Sequence, residues 1–392
     1  MRVLLINDYG GRYAGAETLT LGLRSALRER GHDARLLASD ARLLPGENLA
    51  DYRCAGTTSR FQPLFEAYNV SAARAVRRAI AEFRPDVVHV SMFLWQLSPA
   101  ILRPLRDVPA VYHVMTYKPV CPLGTKMLPD GSPCRYAAGR ICRSGGCQTW
   151  PSWIARGAQQ LLWRRWRGAF DRIVPISESV GAALREAGIA VLPPLAPGVA
   201  VREPRPPLSD PPVVAFAGRL AREKGVDVLL HAMPAVLARV PEARLLVAGD
   251  GPDATRLRGL AARLGIEQRT RFLGHLSARE LDDALSPAWV QVVPSLWHEP
   301  FGLVAPEAMM RGTAVVATAA GGLRDSVVDG KTGFLVPIGD TDALGGALAR
   351  VLSSKETAEA MGAAGRRRAI DEFQESAVVD AFLAIYADML AA

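Results

Sequence analysis

Short runs of apolar and β-branched residues alternate with longer amphipathic stretches along the whole chain, the pattern of parallel strands joined by helices. Several runs are apolar at every position, which is typical of strands covered by helices on both faces. We therefore predict an α/β protein with two doubly wound, Rossmann-like sheets. The first half has predicted strands at 2–7, 34–38, 86–90, 110–114 and 172–177. The second half has them at 213–218, 244–249, 270–274, 290–295, 314–318 and 333–336.

A proline-rich stretch separates the two sets of predicted strands. Prolines crowd residues 193–197 and 204–212, a density that neither a helix nor the interior of a sheet tolerates. Two domains joined there are expected to face a central crevice lined by the carboxyl ends of both sheets, where open α/β sheets bind ligands. The predicted parts are an N-terminal domain at 1–195, a linker at 196–212, a C-terminal domain at 213–375 and a terminal amphipathic helix at 376–392.

The composition fits two domains and excludes a single small module. At 392 residues, with 49% hydrophobic and 22% charged residues, the chain has the profile of a soluble globular protein. No apolar run reaches the roughly 18 residues that a membrane span needs, and the first apolar run meets Asp8 too early for a secretion signal. We expect a cytoplasmic protein that is at most peripheral to the inner face of a membrane.

The positive charge of the chain lies in its first half. Residues 1–200 hold 26 basic and 15 acidic side chains, a net charge of +11, whereas residues 201–392 hold 21 and 24, a net charge of −3. A basic half attracts nucleic acid, anionic lipid or nucleotides alike, so charge alone does not choose the partner. The other interpretation is compositional, because 42 of the 47 basic residues are Arg and they are scattered along both halves.

The first chemical motif follows the first predicted strand of the second half. In the loop from Gly218 to Gly225, Arg219 offers a fork of donors and Lys224 a point charge, so the loop can hold a diphosphate. A solvated basic loop is the alternative interpretation.

The second motif places two glutamates eight residues apart, Glu299 in a loop and Glu307 on the helix that follows. The backbone amides of Phe301, Gly302 and Leu303 are then expected at the start of that helix, where free N–H groups form an anion site. The alternative is an acidic helix start with one surface glutamate, which becomes improbable if the Arg219 loop lies opposite.

A third glycine-rich turn starts at Gly249 and superficially fits a dinucleotide fingerprint. It follows the second strand of its half rather than the first, Pro252 stiffens it, and Glu267 does not end a strand as a ribose-binding carboxylate should. We interpret the turn as the border of a nucleotide pocket rather than as a site for NAD.

The motifs of the second half, in their order along the chain, resemble those of the nucleotide-sugar domain of a family 4 glycosyltransferase with the GT-B architecture. The first half is similar to the family's acceptor domain more loosely. The residues that carry the second-half resemblance are the Gly218 to Gly225 loop, Gly249-Asp250-Gly251-Pro252, Phe272-Leu273-Gly274, Pro294-Ser295, the Glu299 to Glu307 segment and Gly321-Gly322. Those of the first half are Gly15-Ala16-Glu17, Gly31-His32, His89 and Ser177-Glu178-Ser179.

The resemblance implies a retaining transferase that moves a sugar from a nucleoside-diphosphate sugar to an acceptor hydroxyl, on a glycan, a lipid-linked molecule or a small molecule, without a catalytic metal. Arg219 and Lys224 would neutralise the diphosphate, Glu299 would contact sugar hydroxyls and Glu307 would hold the ribose. The resemblance gives the remaining roles to Phe301, Gly302 and Leu303 as phosphate donors, Gly249 beside the nucleotide, Phe272, Leu273 and Gly274 at the base, Gly15 through its backbone, and His113 near the donor sugar.

Residues 115–150 interrupt the strand and helix pattern of the first half and contain four of the five cysteines. In a cytosolic chain such a cluster is more often a metal site than a disulfide framework, although the spacing lacks paired C-x2-C knuckles. A structural zinc, free thiols and disulfides all stay open, and the candidate metal ligands are Cys121, Cys134, Cys142 and Cys147.

Aromatic and basic residues interleave just after this insertion. Trp150, Trp153, Trp163 and Trp166 alternate with arginines in one predicted helix, which fits either an anionic membrane or a helix packed on its own domain with its arginines reaching water. Other functions stay open as well: another GT-B enzyme such as a glycogen-synthase-like transferase, a phosphorylase or an epimerase, an NAD-dependent oxidoreductase, or a non-catalytic binder of nucleic acid or anionic surfaces. Nucleic acid is not the partner we expect.

Overall fold

The computed structural model describes residues 1–11, 15–43 and 46–391 and divides the chain into two compact units. The first unit comprises residues 1–130, 134–198 and 376–392, and the second comprises residues 131–133 and 199–375.

Each unit is built on a six-stranded sheet, and every strand pair is parallel. The predicted α/β class with two doubly wound sheets is therefore confirmed. The first sheet contains β1 (Arg2–Tyr9), β2 (Asp33–Ser39), β3 (Tyr52–Cys54), β4 (Val87–Val90), β5 (Ala110–Val114) and β6 (Arg172–Pro175) in the order β3-β2-β1-β4-β5-β6. The second contains β7 (Val213–Ala217), β8 (Arg244–Ala248), β9 (Thr270–Gly274), β10 (Val290–Val293), β11 (Ala314–Thr318) and β12 (Gly333–Val336) in the order β12-β11-β10-β7-β8-β9.

Helices connect the strands in both units. They are α1 (Gly15–Glu29), α2 (Gln62–Ala67), α3 (Val70–Phe83), α4 (Ile141–Ser144), α5 (Trp150–Trp166), α6 (Glu178–Glu186), α7 (Val226–Arg239), α8 (Ala254–Arg263), α9 (Ala278–Leu285), α10 (Val304–Met310), α11 (Leu323–Ser326), α12 (Thr341–Leu352), α13 (Lys355–Phe373) and α14 (Glu375–Ala391). Short 3-10 helices lie at Pro99–Leu102, Arg167–Ala169, Arg222–Lys224 and Glu267–Arg269.

Side-chain caps fix where several of these helices begin. Asn69 accepts from the amide of Ala72 at 3.0 Å at the start of α3, and Ser277 and Glu280 form a reciprocal capping box at the start of α9. Each cap satisfies an amide that the helix itself leaves without a partner.

The central strands of the second sheet carry apolar side chains on both faces. Val214 and Phe216 of β7 pack into a large core with α7 and α12, whereas Val213, Ala215 and Ala217 of the same strand pack into a smaller one on the other face. This two-sided burial explains why the strand reads as a continuous apolar run.

The C-terminal helix α14 packs into the core of the first unit. Phe382 and Tyr386 stack on each other with ring centroids 6.2 Å apart, and the Tyr386 hydroxyl lies 2.7 Å from Nδ1 of His89 on β4. The amphipathic pattern predicts this helix but does not say which unit it completes.

The segment after β5 is largely irregular, as its composition predicts, but it contains α4, and α5 begins already at Trp150. The three-residue strand β3 is absent from the sequence prediction. Among the residues that the structure describes, no helix is both long and apolar enough to cross a membrane.

Candidate active site

Two loops of the second unit meet where its strand order reverses, between the carboxyl ends of β7 and β10. The amide of Leu296 donates to the carbonyl oxygen of Glu223 at 2.9 Å. A Cβ on Gly225 would stand 1.9 Å from the carbonyl oxygen of Pro294, so only glycine permits this approach. Such a reversal is where open α/β sheets bind ligands.

The contact between these loops brings together Lys224 and Glu299, two of the predicted site residues. Lys224 Nζ donates to Glu299 Oε1 at 2.6 Å, and the hydroxyl of Ser295 donates to the same oxygen at 2.6 Å. The Glu299 side chain is only 6% exposed. In the described part of the chain Oε2 accepts no hydrogen bond, so this second oxygen is free to accept one from a hydroxyl group of a ligand.

Trp297 adds an unused donor to the same loop. The centroid of the Trp297 ring lies 5.3 Å from Lys224 Nζ. The indole N–H of Trp297 is buried and has no acceptor among the described residues. A buried polar group without a partner points to a ligand or a water as the missing acceptor. Sequence reasoning missed the roles of both Trp297 and Ser295. The signal for Ser295 was its place in the Pro294-Ser295 motif, two residues after β10 ends at Val293.

Two glycines hold the Glu299 loop in place. The amide of Gly322 donates to the carbonyl oxygen of Glu299 at 2.8 Å. A Cβ on Gly321, where φ is +59°, would stand 2.2 Å from that same oxygen, and one on Gly322 would stand 2.6 Å from the Cα of Phe301. The predicted Gly321-Gly322 pair therefore acts by close backbone packing.

The predicted phosphate donors Phe301, Gly302 and Leu303 immediately precede α10. Within residues 46–391, their three amides donate no hydrogen bond. The phenyl ring of Phe301 is buried against Phe373, with ring centroids 5.7 Å apart. The backbone of this segment is thus available to a ligand, while the Phe301 side chain belongs to the core.

Three of the predicted glycines converge at the ends of neighbouring strands. The amide of Gly249 donates to the carbonyl oxygen of Gly274 at 2.7 Å, and a Cβ on Gly249 would stand 1.9 Å from the carbonyl oxygen of Gly218. Arg219, the next residue, is exposed and makes no ion pair with any described residue. Its guanidinium is free to meet an anion.

Phe272 and Leu273 of β9 pack into opposite faces of the second sheet. Phe272 lies against the larger core, with the Arg258 guanidinium 4.7 Å from the centroid of its ring, and Leu273 lies against the smaller one. Both side chains are part-buried. The expected contact of this strand end with a base stays a prediction.

Glu307 lies on α10 beside a cluster of charged side chains. Arg202 Nη2 is 3.8 Å from its carboxylate, and the side chain is 30% exposed. Burial raises its pKa, while Arg202 and Arg311 act to lower it and Asp282 to raise it. Arg202 and Arg311 both pair with Asp282, which makes the contact to Glu307 the weak one, so this carboxylate can exchange it for a ligand hydroxyl.

His113 and Gly15 belong to the first unit. The ring of His113 on β5 is buried, edge-on to Phe382 of α14 at 4.9 Å between ring centroids. Burial lowers its pKa to about 4, so the ring is neutral near pH 7. The imidazole is enclosed within its own unit, and the expected contact of His113 with a donor sugar stays a prediction. Gly15 is the first residue of α1.

The four clustered cysteines, also in the first unit, are part-buried free thiols. Burial raises the pKa of Cys142 and of Cys147, and the thiols of Cys121 and Cys134 add to the rise. Among the described residues, no three Cys, His, Asp or Glu side chains are grouped so that they could hold a metal ion. The thiols as placed do not fit a zinc site, and the zinc stays a prediction that metal analysis of protein without a histidine tag can test.

Comparisons with known proteins match both units. Residues 200–368 match the family described as "Glycosyl transferases group 1", and residues 13–194 match the family described as "Glycosyltransferase Family 4". The chain is 30% identical over 311 residues to the glycogen synthase of Mycobacterium tuberculosis, covering 78% of this chain and 69% of the relative. It is 33% identical over 318 residues to the D-inositol 3-phosphate glycosyltransferase of Corynebacterium aurimucosum, covering 78% and 72%.

A shorter match and two solved structures extend these comparisons. A GDP-mannose-dependent alpha-(1-6)-phosphatidylinositol monomannoside mannosyltransferase of Mycolicibacterium smegmatis is 38% identical over 173 residues, covering 43% of this chain and 45% of the relative. The sucrose-phosphate synthase of Thermosynechococcus elongatus superposes with a TM-score of 0.76 at 24% identity, covering 100% of this chain and 99% of the other. Anabaena HepE in complex with UDP-glucose superposes with a TM-score of 0.69 at 18% identity, covering 99% and 100%.

Proposed function

The chain belongs to the family 4 glycosyltransferases of GT-B fold, and we propose that it transfers a sugar from a nucleoside-diphosphate sugar to an acceptor hydroxyl with retention of anomeric configuration. The observation that carries the proposal is the Lys224, Ser295 and Glu299 cluster at the strand reversal of the second unit. The cluster joins a cation for phosphate to a carboxylate oriented for hydroxyl groups.

Each side chain has a role that follows from its surroundings. Lys224 and Arg219 neutralise the diphosphate, and the amides of residues 301–303, which donate to no described residue, support it. Glu299 accepts hydrogen bonds from sugar hydroxyls through Oε2, because Lys224 and Ser295 already hold Oε1. Glu307 accepts from the ribose after releasing its long contact with Arg202.

In the reaction, the bond between the anomeric carbon and the diphosphate oxygen breaks and the acceptor oxygen bonds to the same carbon on the same face. The acceptor proton passes to the departing phosphate oxygen. Negative charge grows on the diphosphate in the transition state, so Lys224 and Arg219 interact with it more strongly there than with the bound donor. Support for retention comes from the Mycolicibacterium relative, which is named for GDP-mannose, an α-linked donor, and for an alpha-(1-6) product.

The test is a screen for hydrolysis of UDP-, GDP- and ADP-sugars, followed by turnover with the best donor. Lys224→Ala and Glu299→Gln should each lower kcat/KM by about a hundredfold or more, the scale of losing a transition-state charge contact. The matched control is Lys331→Ala, which removes an exposed lysine of the same unit. Wild-type turnover in both site variants, or an equal loss in the control, would refute the assignment. NMR of the product reads its anomeric configuration directly.

A glycogen-synthase-like reaction is the second candidate, because the Mycobacterium glycogen synthase aligns over 311 residues. The two differ in their acceptor, a growing glucan against another hydroxyl. Incubation of the donor with a glucan primer separates them, since only the second candidate lengthens the primer. Product analysis also exposes phosphorolysis or epimerisation, and binding without any turnover would favour a non-catalytic protein.

The proposal includes peripheral contact with an anionic membrane at the cytoplasmic face. Trp150, Ile154 and Leu161 lie on one face of α5 and are 58%, 61% and 69% exposed. The helix contains no acidic residue and has an arginine pair, Arg164 and Arg165, in its last turn. An apolar stripe beside cations on one helix is typical of an interfacial helix.

Flotation with phosphatidylcholine vesicles that contain phosphatidylglycerol tests this contact. The double variant Ile154→Gln, Leu161→Gln should lower the bound fraction about tenfold at low salt, because it removes two apolar side chains from the interface. The control Leu390→Gln changes a leucine that is also exposed, on α14. No flotation of the wild-type protein, or an equal loss in the control, contradicts the membrane contact.

A further inference from the structure

A cavity of about 520 Å³ lies within the first unit, and none of the residues that line it is assigned to the donor. Its walls are α5, α6, the start of the segment after β5 and the cysteine-containing segment. Volumes of 300 to 1,000 Å³ are typical of small-molecule sites. The residues that line it are Pro119, Val120, Lys126, Arg135, Tyr136, Ala137, Ala138, Gln160, Trp163, Arg164, Arg167, Ala183, Glu186, Ala187 and Ile189.

The lining of this cavity is strongly cationic. Lys126, Arg135, Arg164 and Arg167 face a single carboxylate, that of Glu186. The neighbouring sequence supplies no negative charge to balance these cations, because residues 131–170 contain seven arginines and no aspartate or glutamate.

The structure does not neutralise these cations either. In the described ranges none of the four makes an ion pair. Lys126 Nζ donates to the carbonyl oxygen of Tyr136 at 3.3 Å, and Arg167 Nη2 donates to that of Gly188 at 3.1 Å. These bonds orient two of the cations without cancelling their charge, so the cavity retains an excess of three positive charges.

The floor of the cavity is apolar. Val120, Trp163 and Ile189 are buried, and Ala183 and Ala187 of the α6 wall are small. A bare ion would leave this surface uncovered. The ligand that fits therefore combines an anionic group with a carbon skeleton.

We infer that this cavity binds an organic phosphate monoester, with its phosphate among Arg135, Arg164 and Arg167 and its carbon skeleton on the Trp163 floor. A monoester carries about −1.5 to −2 charges at neutral pH, which matches the excess of the lining better than one carboxylate does. Arginine also suits phosphate because its planar fork donates two parallel hydrogen bonds. The inference does not depend on the proposed function, since no residue of the second unit enters it.

Two adjacent arginines of α5 provide a matched test. Arg164 lines the cavity, whereas the exposed Arg165 does not, so Arg164→Gln and Arg165→Gln make the same charge change on the same helix. Arg135→Gln and Arg140→Gln form a second pair, because only Arg135 lines the cavity. All four side chains are exposed, so the fold tolerates their replacement.

The measurement is calorimetric titration with glucose 1-phosphate, at low salt and with UDP present to fill a donor site. Arg164→Gln and Arg135→Gln should each weaken binding about tenfold, the loss of one charge-assisted hydrogen bond, while Arg165→Gln and Arg140→Gln change it less than twofold. No saturable binding by the wild-type protein overturns the inference. So does an equal loss in a control variant, or inorganic phosphate binding as tightly as the ester.

Two further arms identify the source of the phosphate and separate this site from the donor site. Sedimentation with phosphatidylcholine vesicles containing phosphatidic acid, weakened by Arg135→Gln but not by Arg140→Gln, indicates a lipid head group. Binding of glucose 1-phosphate alone indicates a soluble ester. Arg219→Gln should leave the affinity for glucose 1-phosphate unchanged, and its loss in that variant would place the ligand in the donor site and overturn the inference.

Discussion

Replacing Gly322 by Ala tests whether the loop that carries Glu299 must keep its position. The backbone of Gly322 has φ −68° and ψ −7°, which alanine adopts freely, so the perturbation is steric only. The added Cβ would stand 2.6 Å from the Cα of Phe301 and 2.6 Å from the carbonyl oxygen of Pro300, both of them backbone atoms. No flexible side chain can give way, and the loop itself has to move.

The size of the effect follows from this distance. Ordinary contact begins near 3.4 Å, so the loop shifts by about 0.8 Å, and misplacement by about 1 Å costs about a hundredfold in rate. We expect kcat/KM to fall between about tenfold and a hundredfold. Overpacking of this kind also costs about 1 to 3 kcal/mol of unfolding free energy.

The assay is steady-state turnover with the donor found by the hydrolysis screen, with thermal unfolding measured on the same sample. Gly346→Ala is the control, because a Cβ at this position on α12 meets no atom of the described residues within 4 Å. It should leave turnover unchanged and stabilise the helix by about 0.5 to 1 kcal/mol. Wild-type turnover of Gly322→Ala at a normal melting temperature would show that the position of the loop does not matter.

Three further predictions concern single side chains. The Glu66 carboxylate lies 2.8 Å from both the buried Lys118 and Arg156. Glu66→Gln removes its charge and should lower the free energy of unfolding by about 3 to 5 kcal/mol. An unchanged midpoint of urea unfolding contradicts this prediction. Ser295→Ala removes one donor to the site carboxylate and should lower kcat about tenfold with little change in melting temperature, a split that turnover and calorimetry check together. Burial lowers the pKa of His113 from 6.5 to about 4. Between these two values the folded state therefore binds fewer protons than the unfolded state, so the free energy of unfolding is about 2 kcal/mol lower at pH 5 than above pH 6.5. His113→Phe should remove this part of the pH dependence, which urea midpoints at pH 7 and pH 5 measure.

Much of the fold was predictable because two-sided burial makes the central strands continuous apolar runs. The predicted bounds of β5, β9, β11 and β12 agree with the structure. Strand β3 was not predicted because it has only three residues, Tyr52–Cys54, and one of them is the exposed Arg53. Where α14 packs could not be predicted, because an amphipathic pattern specifies that a face is buried and not what buries it.

The candidate site was predictable where a charged residue in a loop after a strand carries the chemistry by itself. Lys224 and Glu299 were expected there, and the structure pairs them at 2.6 Å. Ser295 was named only as part of the Pro294-Ser295 motif, and Trp297 was not named. Their roles were missed because one rests on a hydrogen bond that Ser295 donates to Glu299 and the other on a buried N–H without an acceptor among the described residues, and a sequence shows neither. Phe301 shows the reverse, since its side chain packs in the core and only its backbone amide, which donates to no described residue, is left for a ligand.

Part of the net charge of +11 in the first half lies at one cavity of the first unit. Of the seven arginines in residues 131–170, Arg156 pairs with Glu66 at 2.8 Å, whereas three others line one cavity without an ion pair in the described ranges. These three are exposed or part-buried, so salt screens them over a Debye length of about 10 Å at 0.1 M. Binding of glucose 1-phosphate should therefore weaken steeply with salt. The Lys224 and Glu299 pair is largely enclosed, so its contribution to donor binding should depend on salt less than that of the exposed Arg219.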